Sequence, residues 1–251
     1  SNYYFEISSG TISANSVVGG LFAKMYVEDG ATARDENGDS IYKVNVAGPG
    51  IDLIKYDKSG KLHGITNGTI TGTTAGGIIG EISGDIDIEI SGMTTMPVKV
   101  LSNVNNATGI AGGFAGKVGN GVKIKFTNDT QINISTNVMR YNTSTGWYSG
   151  GFIGYMDGSE LECASTGGVL RSGNTEALRY VGGLVGYANN SSVTVSNYTQ
   201  SNDTYIYESQ NGTVGNNFAV GGVIGMYIND NSIAGRKLEL SYIKSEDKNA
   251  A

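Results

Sequence analysis

The chain has 251 residues and a net charge of −6, and its lysines and arginines form no cluster. This acidic, low-charge composition argues against a nucleic-acid partner, and the lack of a long apolar run argues against membrane insertion. Glycine is abundant, at 39 residues, but 39% of the chain is apolar and falls in short ordered runs, which indicates a folded, turn-rich β protein.

A short glycine motif returns six times along the chain. Each copy has a small residue, two glycines, an apolar residue, a variable residue and a final glycine or alanine. The copies are residues 18–23, 75–80, 111–116, 149–154, 181–186 and 220–225. Their glycine pairs are Gly19 and Gly20, Gly76 and Gly77, Gly112 and Gly113, Gly150 and Gly151, Gly182 and Gly183, and Gly221 and Gly222. Such self-similarity predicts stacked structural repeats.

The sequence that follows each motif also repeats. A polar turn comes first, at 83–85, 119–121, 157–159, 189–191 and 229–231. A strand with period two follows in most units, as in Ile86, Ile88 and Ile90. Further β-like runs close several units, at 97–101, 131–134 and 205–207. Each unit therefore has roughly three short strands and no helical pattern.

Units that cannot bury their own apolar face stack on their neighbours. We therefore predict an all-β fold, a right-handed parallel β-helix (β-solenoid) of about six to seven coils with long loops. Residues 1–251 should form a single solenoid domain, which we expect to be a piece of a larger protein.

Period two predicts that Gly182, Leu184 and Gly186 point into the solenoid, where the glycines let the opposing walls approach. Val185 should point the other way. Its column, which includes Ile79 and Ile153, is also apolar, so it needs a cover. That cover is either the spare residues of each coil or a partner protein, and burial in the isolated chain separates the two.

Two irregularities accompany the first motif. Ala23 replaces the final glycine, and the next motif begins only after an insertion, placed near residues 28–39 or 49–61. A β-propeller is the competing architecture, because its blades have similar lengths. Propeller blades repeat a tryptophan, however, and Trp147 is the only one here.

Two stretches, GGFIGYMDGSELECAS at 150–165 and GGLVGYANNSSVTVSNY at 182–198, resemble the bacterial GLUG repeat. The resemblance spans about residues 17–240. It implies a β-solenoid within a large secreted or wall-anchored bacterial protein, such as an adhesin, at the cell surface or outside the cell. It brings no catalytic residues to transfer.

Residues that carry chemistry are scarce. His63 is the only histidine and is expected in a polar loop. Cys163 is the only cysteine and takes the slot of Ile88, Ile124 and Val195, which predicts a buried, inert thiol. We expect no cofactor. Calcium is the alternative, on the turn residues Asp157, Asn189, Asn190, Asn229 and Asp230, but Asn and Asp also suit such turns without a metal.

Two groups are candidate ligand contacts. Asp85 and Asp87 share an outward strand face with Glu89, and paired carboxylates can serve glycoside hydrolysis or hold calcium. Lysines or glutamates take comparable positions in other units, which favours an ordinary solvated face. Tyr155 and Tyr187 follow successive motifs at the same offset, where aromatic side chains can stack sugars, dock proteins or pack on a sheet edge.

The sequence thus predicts a non-catalytic module of a bacterial cell-surface or secreted protein, used as an adhesin-like stalk or a ligand-presenting scaffold. Its partners would be a host or environmental glycan or protein and the flanking domains of its own polypeptide. The alternative is a carbohydrate-active β-helix enzyme, either a polysaccharide lyase or a glycoside hydrolase. An ice-binding solenoid is disfavoured, because the threonines at 69, 71, 73 and 74 cluster in one place rather than once per coil.

Overall fold

In the computed structural model, every regular element among the described residues is a β-strand. The described residues are 10–27, 37, 42–47, 54–56, 62–64, 68–91, 93–95, 99–103, 109–126, 131–133, 137–141, 146–164, 170–171, 175–177, 180–196, 198–200, 206–208, 219–241 and 243–245.

The strands fall into six successive coils. Coil 1 contains β1 (Gly10–Ser13), β2 (Val17–Gly19), β3 (Phe22–Tyr26), β4 (Tyr42–Ala47) and the inserted β5 (Ile54–Tyr56) and β6 (Leu62–Gly64). Coil 2 contains β7 (Gly68–Gly72), β8 (Thr74–Gly76), β9 (Ile79–Ser83), β10 (Ile86–Ser91) and β11 (Met93–Thr95). Coil 3 contains β12 (Lys99–Asn103), β13 (Gly109–Gly112), β14 (Ala115–Val118), β15 (Lys123–Phe126) and β16 (Gln131–Asn133).

The second half of the chain repeats this order. Coil 4 contains β17 (Asn137–Tyr141), β18 (Gly146–Gly150), β19 (Ile153–Asp157), β20 (Glu160–Ala164) and β21 (Leu170–Arg171). Coil 5 contains β22 (Thr175–Ala177), β23 (Tyr180–Gly182), β24 (Val185–Asn189), β25 (Ser192–Ser196) and β26 (Thr199–Gln200). Coil 6 contains β27 (Ile206–Glu208), β28 (Ala219–Gly221), β29 (Ile224–Ile228), β30 (Leu238–Ser241) and β31 (Lys244–Ser245).

Equivalent strands of successive coils pair in parallel and form four six-stranded sheets. In coil order, sheet I is β1-β7-β12-β17-β22-β27 and sheet II is β2-β8-β13-β18-β23-β28. Sheet III is β3-β9-β14-β19-β24-β29 and sheet IV is β4-β10-β15-β20-β25-β30. Shorter sheets join β11-β16-β21 and β26-β31. The predicted parallel β-helix is therefore confirmed, with six coils; the right-handed sense stays a prediction.

The glycine motif is divided between two sheets. Its first half ends a strand of sheet II, a two-residue bend follows, and its second half begins a strand of sheet III. The bends also stack, since the Phe152 amide donates to the Leu184 carbonyl and the Leu184 amide donates to the Val223 carbonyl, each at 2.9 Å. Because of this split, each coil has one more strand than the three we expected. The alternation of side-chain direction that we predicted across the whole motif is interrupted at the bend.

The column of Leu184 lies in the core, as predicted. Ile78, Phe114, Phe152 and Leu184 are at most 2% exposed, and the rings of Phe114 and Phe152 stack with centroids 4.8 Å apart. An aromatic pair of this geometry contributes about 0.5–1.5 kcal/mol beyond its burial. The coils are thus joined by side-chain packing as well as by backbone hydrogen bonds.

The column of Val185 is buried by the chain itself. Ile79, Ile153 and Val185 are at most 1% exposed and belong to the same buried cluster as Leu184. Only the end members are more open: Ile224 is partly buried and Phe22 is 41% exposed. This burial in the isolated chain selects the self-covered arrangement over a partner protein for the central coils.

The glycines allow sheets II and III to touch backbone to backbone. A Cβ atom on Gly150 would lie 1.8 Å from the Ile153 carbonyl oxygen and 2.7 Å from the Gly186 nitrogen. A Cβ atom on Gly154 would lie 2.7 Å from the carbonyl oxygen of Ala111 in the coil below. Real Cβ atoms essentially never approach other atoms so closely, so the first and last glycines of the motif are required by packing.

Sheet IV carries the predicted alternating strand. Its inward column of Ile88, Ile124, Leu161 and Val193 is at most 1% exposed. Cys163 is buried, but its predicted slot was wrong in part. It pairs with Val195 and follows Phe126 and Ile90, whereas Ile88 and Ile124 align with Leu161. The predicted alignment of Cys163 with Ile88 and Ile124 was off by two residues. Its prediction as an interior residue still held, because side chains two residues apart on a strand point to the same face.

The polar turns between sheets III and IV form another column. Gly84, Gly121, Gly158 and Asn190 all have positive φ angles, between 44° and 89°. Glycine and asparagine adopt this left-handed backbone most readily, which explains why the turns carry them.

The long interval of coil 1 contains an antiparallel hairpin in which Ile54–Tyr56 pairs with Leu62–Gly64. It lies at the second of the two predicted insertion sites. His63 is in strand β6, opposite Lys55, rather than in the loop we expected. The other predicted site, at 28–39, lies outside the described residues except for Asn37.

Candidate functional site

The structure does not bring the four candidate ligand contacts together. Tyr155 and Tyr187 are neighbours in sheet III, on coils 4 and 5. Asp87 lies on the outward face of sheet IV in coil 2, and Asp85 lies in the turn before it, beside Gly121 of the next coil. The two tyrosines and the two aspartates therefore belong to separate surfaces.

Tyr155 and Tyr187 belong to a cluster of rings, four of which are among the described residues, and we call these four the tyrosine cluster. Its other members, Tyr148 and Tyr180, are neighbours in sheet II. Tyr155 stacks on Tyr187 with centroids 5.4 Å apart, and Tyr148 stacks on Tyr180 at 5.6 Å. The two stacks interlock, since Tyr148 lies 5.3 Å from Tyr155 and 5.0 Å from Tyr187, and Tyr180 lies 5.3 Å from Tyr187.

Sequence reasoning found only half of this cluster. Tyr148 and Tyr180 each lie two residues before the first glycine of a motif, and this shared offset was a usable signal. The contact between sheets II and III was not predictable, because the motif was interpreted as one continuous strand. The bend folds the residue before the glycines against the residue after them.

Acidic and amide side chains border the tyrosine cluster. Asp157 lies two residues after Tyr155 in strand β19, so the two side chains share one face of sheet III. The Asp157 Oδ1 atom accepts a hydrogen bond of 2.9 Å from the Asn189 amide of the next coil. Burial and the negative charge of Asp157 raise the pKa of Tyr155 to about 12, and burial also raises the pKa of Tyr187. At neutral pH both hydroxyls are protonated and can donate hydrogen bonds.

The tyrosine rings cover one another's faces. Within sheet III the column continues from Lys117 through Tyr155 and Tyr187 to Met226, so each ring has a neighbour on both sides. All four tyrosines are partly exposed, and each ring has one face stacked on a neighbouring ring. A sugar that stacks on a free aromatic face is a poor match to this surface.

Charges alternate in sign along the outward face of sheet IV. One column reads Asp87, Lys123 and Glu160 in coils 2, 3 and 4. The next reads Glu89, Lys125 and Glu162, and Lys125 Nζ lies 3.6 Å from Glu162 Oε1. Each carboxylate of these two columns therefore has a lysine in an adjoining coil. From the sequence we noted that these positions carry charges but did not recognise that the sign of the charge alternates from coil to coil.

Sheet III carries a second ladder of this kind. Glu81 lies between two lysines of the adjoining coils, 3.6 Å from Lys24 Nζ and 3.1 Å from Lys117 Nζ. These pairs are partly exposed, so each contributes no more than about 1 kcal/mol. They also favour the observed register, since a shift along the strand would separate Glu81 from both lysines.

The turn residues that we considered for calcium form hydrogen bonds with neighbouring residues. Asn190 Oδ1 accepts from the Asp230 amide at 2.9 Å, and Asp230 Oδ1 accepts from the Ser232 amide at 2.8 Å. Asn229 Oδ1 accepts from the Asn231 amide at 3.0 Å. The part of the chain that the structure describes contains no group of three His, Cys, Asp or Glu residues placed to hold a metal ion.

The turn of coil 6 is longer than the equivalent turns of coils 2 to 5, and its Arg236 contacts coil 4. Arg236 reaches coil 4, where its Nη1 lies 2.7 Å from Glu160 Oε1 and its Nη2 donates to the Gly158 carbonyl at 2.8 Å. Tyr227 donates its hydroxyl hydrogen bond to the Ser191 carbonyl at 3.1 Å. These contacts tie the last coil to the two coils before it.

Comparison with known proteins identified no relative: no family model, no curated protein and no solved structure matches this chain. The resemblance to the GLUG repeat therefore stays a prediction. The described residues include no helix long and apolar enough to cross a lipid bilayer.

Proposed function

We propose that this chain is a non-catalytic module of a bacterial cell-surface or secreted protein, in which a stiff solenoid holds or presents a ligand-binding surface. The observation that carries the proposal is the cross-coil pairing of side chains on the outward faces. Glu81 joins coils 1 to 3, Lys125 pairs with Glu162, and Arg236 spans from coil 6 to coil 4. A face whose charges are used for pairing between coils suits a scaffold better than an enzyme, which needs groups that can exchange protons.

The GLUG-like motifs support an extracellular setting, because the bacterial proteins that they resemble are secreted or wall-anchored. The partner that we propose is a host or environmental glycan or protein. The tyrosine hydroxyls and the Asp157–Asn189 pair form the most distinctive polar surface for such contacts among the described residues.

Stiffness is the first property to test. Lys24 and Met226 occupy the same column of sheet III in coils 1 and 6, five rungs apart. At about 4.8 Å per rung their Cα atoms should be about 24 Å apart. Spin labels can be attached at Lys24→Cys and Met226→Cys in a Cys163→Val background. We expect pulsed electron paramagnetic resonance to give one narrow distribution of the distance between the two labels. A broad distribution would contradict a stiff spacer.

Turnover is the second property to test. The chain should be incubated with a panel of plant, microbial and host polysaccharides while new reducing ends and unsaturated products are measured, and binding should be followed by affinity electrophoresis. We expect binding without turnover. Product formation that Asp87→Asn abolishes and Lys123→Gln leaves unchanged would establish the alternative, a carbohydrate-active β-helix enzyme.

A further inference from the structure

We propose that the tyrosine cluster is a site of oxidative modification, at which a one-electron oxidant of the peroxidase and hydrogen peroxide class joins tyrosines by a carbon–carbon bond. The product is a dityrosine that links two of the four rings, and a linkage of Tyr187 to Tyr148 or Tyr155, or of Tyr148 to Tyr180, also fastens coil 4 to coil 5. The proposal rests on the ring geometry alone and does not depend on the proposed function.

The rings are already in contact before any reaction. Five contacts with centroid distances of 5.0 to 5.6 Å connect these four described rings. They extend from strands that are hydrogen-bonded into continuous sheets, so their relative positions are fixed. Reactants held together in this way behave as if present at very high local concentration. Each of these tyrosines is also partly exposed, so the cluster is open to a small oxidant.

The electron and proton balance is complete with one equivalent of hydrogen peroxide. Each of two tyrosines gives up one electron and its hydroxyl proton and becomes a phenoxyl radical. The radicals join through their ortho carbons, and each ring then moves its ortho proton to oxygen and regains its phenol. Two tyrosines thus lose two electrons and two protons in all, and the peroxide accepts them and becomes two molecules of water.

Asp157 assists the first proton transfer. Its carboxylate lies two residues after Tyr155 in β19, on the same face of the strand, so a proton acceptor is near when that ring loses an electron. Asn189 holds the same carboxylate through Oδ1 at 2.9 Å, which fixes its position. Tyr155 is therefore the ring best prepared for oxidation, and its contacts with Tyr148 and Tyr187 provide the coupling partners.

Two double variants give a sharp test, because the five contacts are unevenly distributed. Every contact includes Tyr148 or Tyr187, and among these four rings no contact joins Tyr155 to Tyr180. Tyr148→Phe with Tyr187→Phe removes a phenol from every pair. Tyr155→Phe with Tyr180→Phe is the matched control, since it keeps the closest pair, Tyr148 and Tyr187 at 5.0 Å. Both variants keep four stacked rings, so both should fold.

Dilute protein should be treated with a peroxidase and limiting hydrogen peroxide, or with a photoactivated ruthenium complex and persulfate. The monomer should be analysed by intact mass, dityrosine fluorescence and tandem mass spectrometry of its peptides. We expect the wild-type monomer to lose two hydrogen atoms, with the linkage mapped to two tyrosines of the cluster. The control variant should form the Tyr148–Tyr187 linkage, and Tyr148→Phe with Tyr187→Phe should form none within the cluster.

Three results would overturn the proposal: oxygen addition without a linkage in the folded wild type, linkages only between separate chains, or an equal yield of cluster linkage in the two double variants. Circular dichroism before oxidation verifies that each variant is folded, so loss of the linkage in one variant alone is attributable to its missing phenols.

Discussion

The environment of a single side chain in this protein is set by its own strand and by the neighbouring coils. Tyr155 is the clearest case, because Asp157 of its own strand and Tyr187 of the next coil both act on its hydroxyl. The folded chain binds the Tyr155 proton more tightly than the unfolded chain, in which a tyrosine has a pKa of about 10. Its contribution to stability is therefore complete below about pH 10 and is lost as the pH rises toward 12.

We predict that the free energy of unfolding of the wild type falls between about pH 10 and pH 12, and that Tyr155→Phe reduces this fall. Urea unfolding at a series of alkaline pH values measures both. Tyr26→Phe is the control for the loss of a tyrosine hydroxyl outside the cluster, since Tyr26 is 65% exposed in coil 1. Equal slopes for wild type and Tyr155→Phe would contradict the raised pKa.

Cys163 provides a second prediction for a single residue. Burial raises its pKa well above the ordinary value, with a further contribution from the charge of Glu162. The reactive thiolate is therefore scarce and the sulfur is enclosed. We expect an aromatic disulfide reagent to modify Cys163 at least about a hundredfold more slowly in the folded chain than in urea, a factor that corresponds to about 2.7 kcal/mol of opening. Rapid labelling of the folded chain would place the residue outside the core.

At the scale of the secondary-structure elements, substitutions in the bend between sheets II and III should differ in their effect on stability according to which glycine is replaced. Gly150→Ala places a methyl group 1.8 Å from the Ile153 carbonyl oxygen, and backbone cannot move aside easily. We predict a loss of at least about 3 kcal/mol in the free energy of unfolding, or failure to fold.

Gly222→Ala, at the second glycine of the motif copy in coil 6, is the comparison. No atom lies within 4 Å of the position its Cβ would take, so we predict a change within about 1 kcal/mol. Thermal and urea unfolding measure both variants. A similar effect of the two substitutions would mean that the motif requires glycine for conformational freedom rather than for close approach.

The sequence was sufficient to predict the coils, because glycine columns and period-two strands are local patterns that repeat. It placed Leu184 between Phe152 and Val223 correctly. It was not sufficient for the tyrosine cluster, since the contact between Tyr148 and Tyr155 depends on a two-residue bend inside an apolar run. It also did not reveal the charge ladders, because opposite signs at one column become an interaction only when the register is known.

The whole molecule is a one-dimensional array, in which each coil contacts mainly its neighbours. Its ends are consequently weaker than its middle. Val193 and Val195 of coil 5 are at most 1% exposed, whereas the residues above them in coil 6, Leu238 and Leu240, are 41% and 43% exposed. Opening of an end coil exposes little additional apolar surface, while opening of coil 4 exposes surface on both sides.

We therefore predict a gradient of amide hydrogen exchange along the solenoid. Amides of β14, β19 and β24 should exchange most slowly, with opening free energies close to that of global unfolding, and those of β3 and β29 should exchange fastest. Mass spectrometry of proteolytic fragments resolves these strands. Uniform protection of all six strands of sheet III would show that the coils unfold together as one unit.

Ala23 gives this array a direction. In later coils, the residue at its position lies against a carbonyl of the coil beneath and must be glycine, whereas the methyl group of Ala23 would collide with any coil added there in the same packing. A designer who wishes to lengthen the protein can therefore extend it beyond β28, β29 and β30 as it is. Addition of a coil at the opposite face would first need residue 23 changed to glycine, because the methyl group of Ala23 lies where the backbone of that coil would pack.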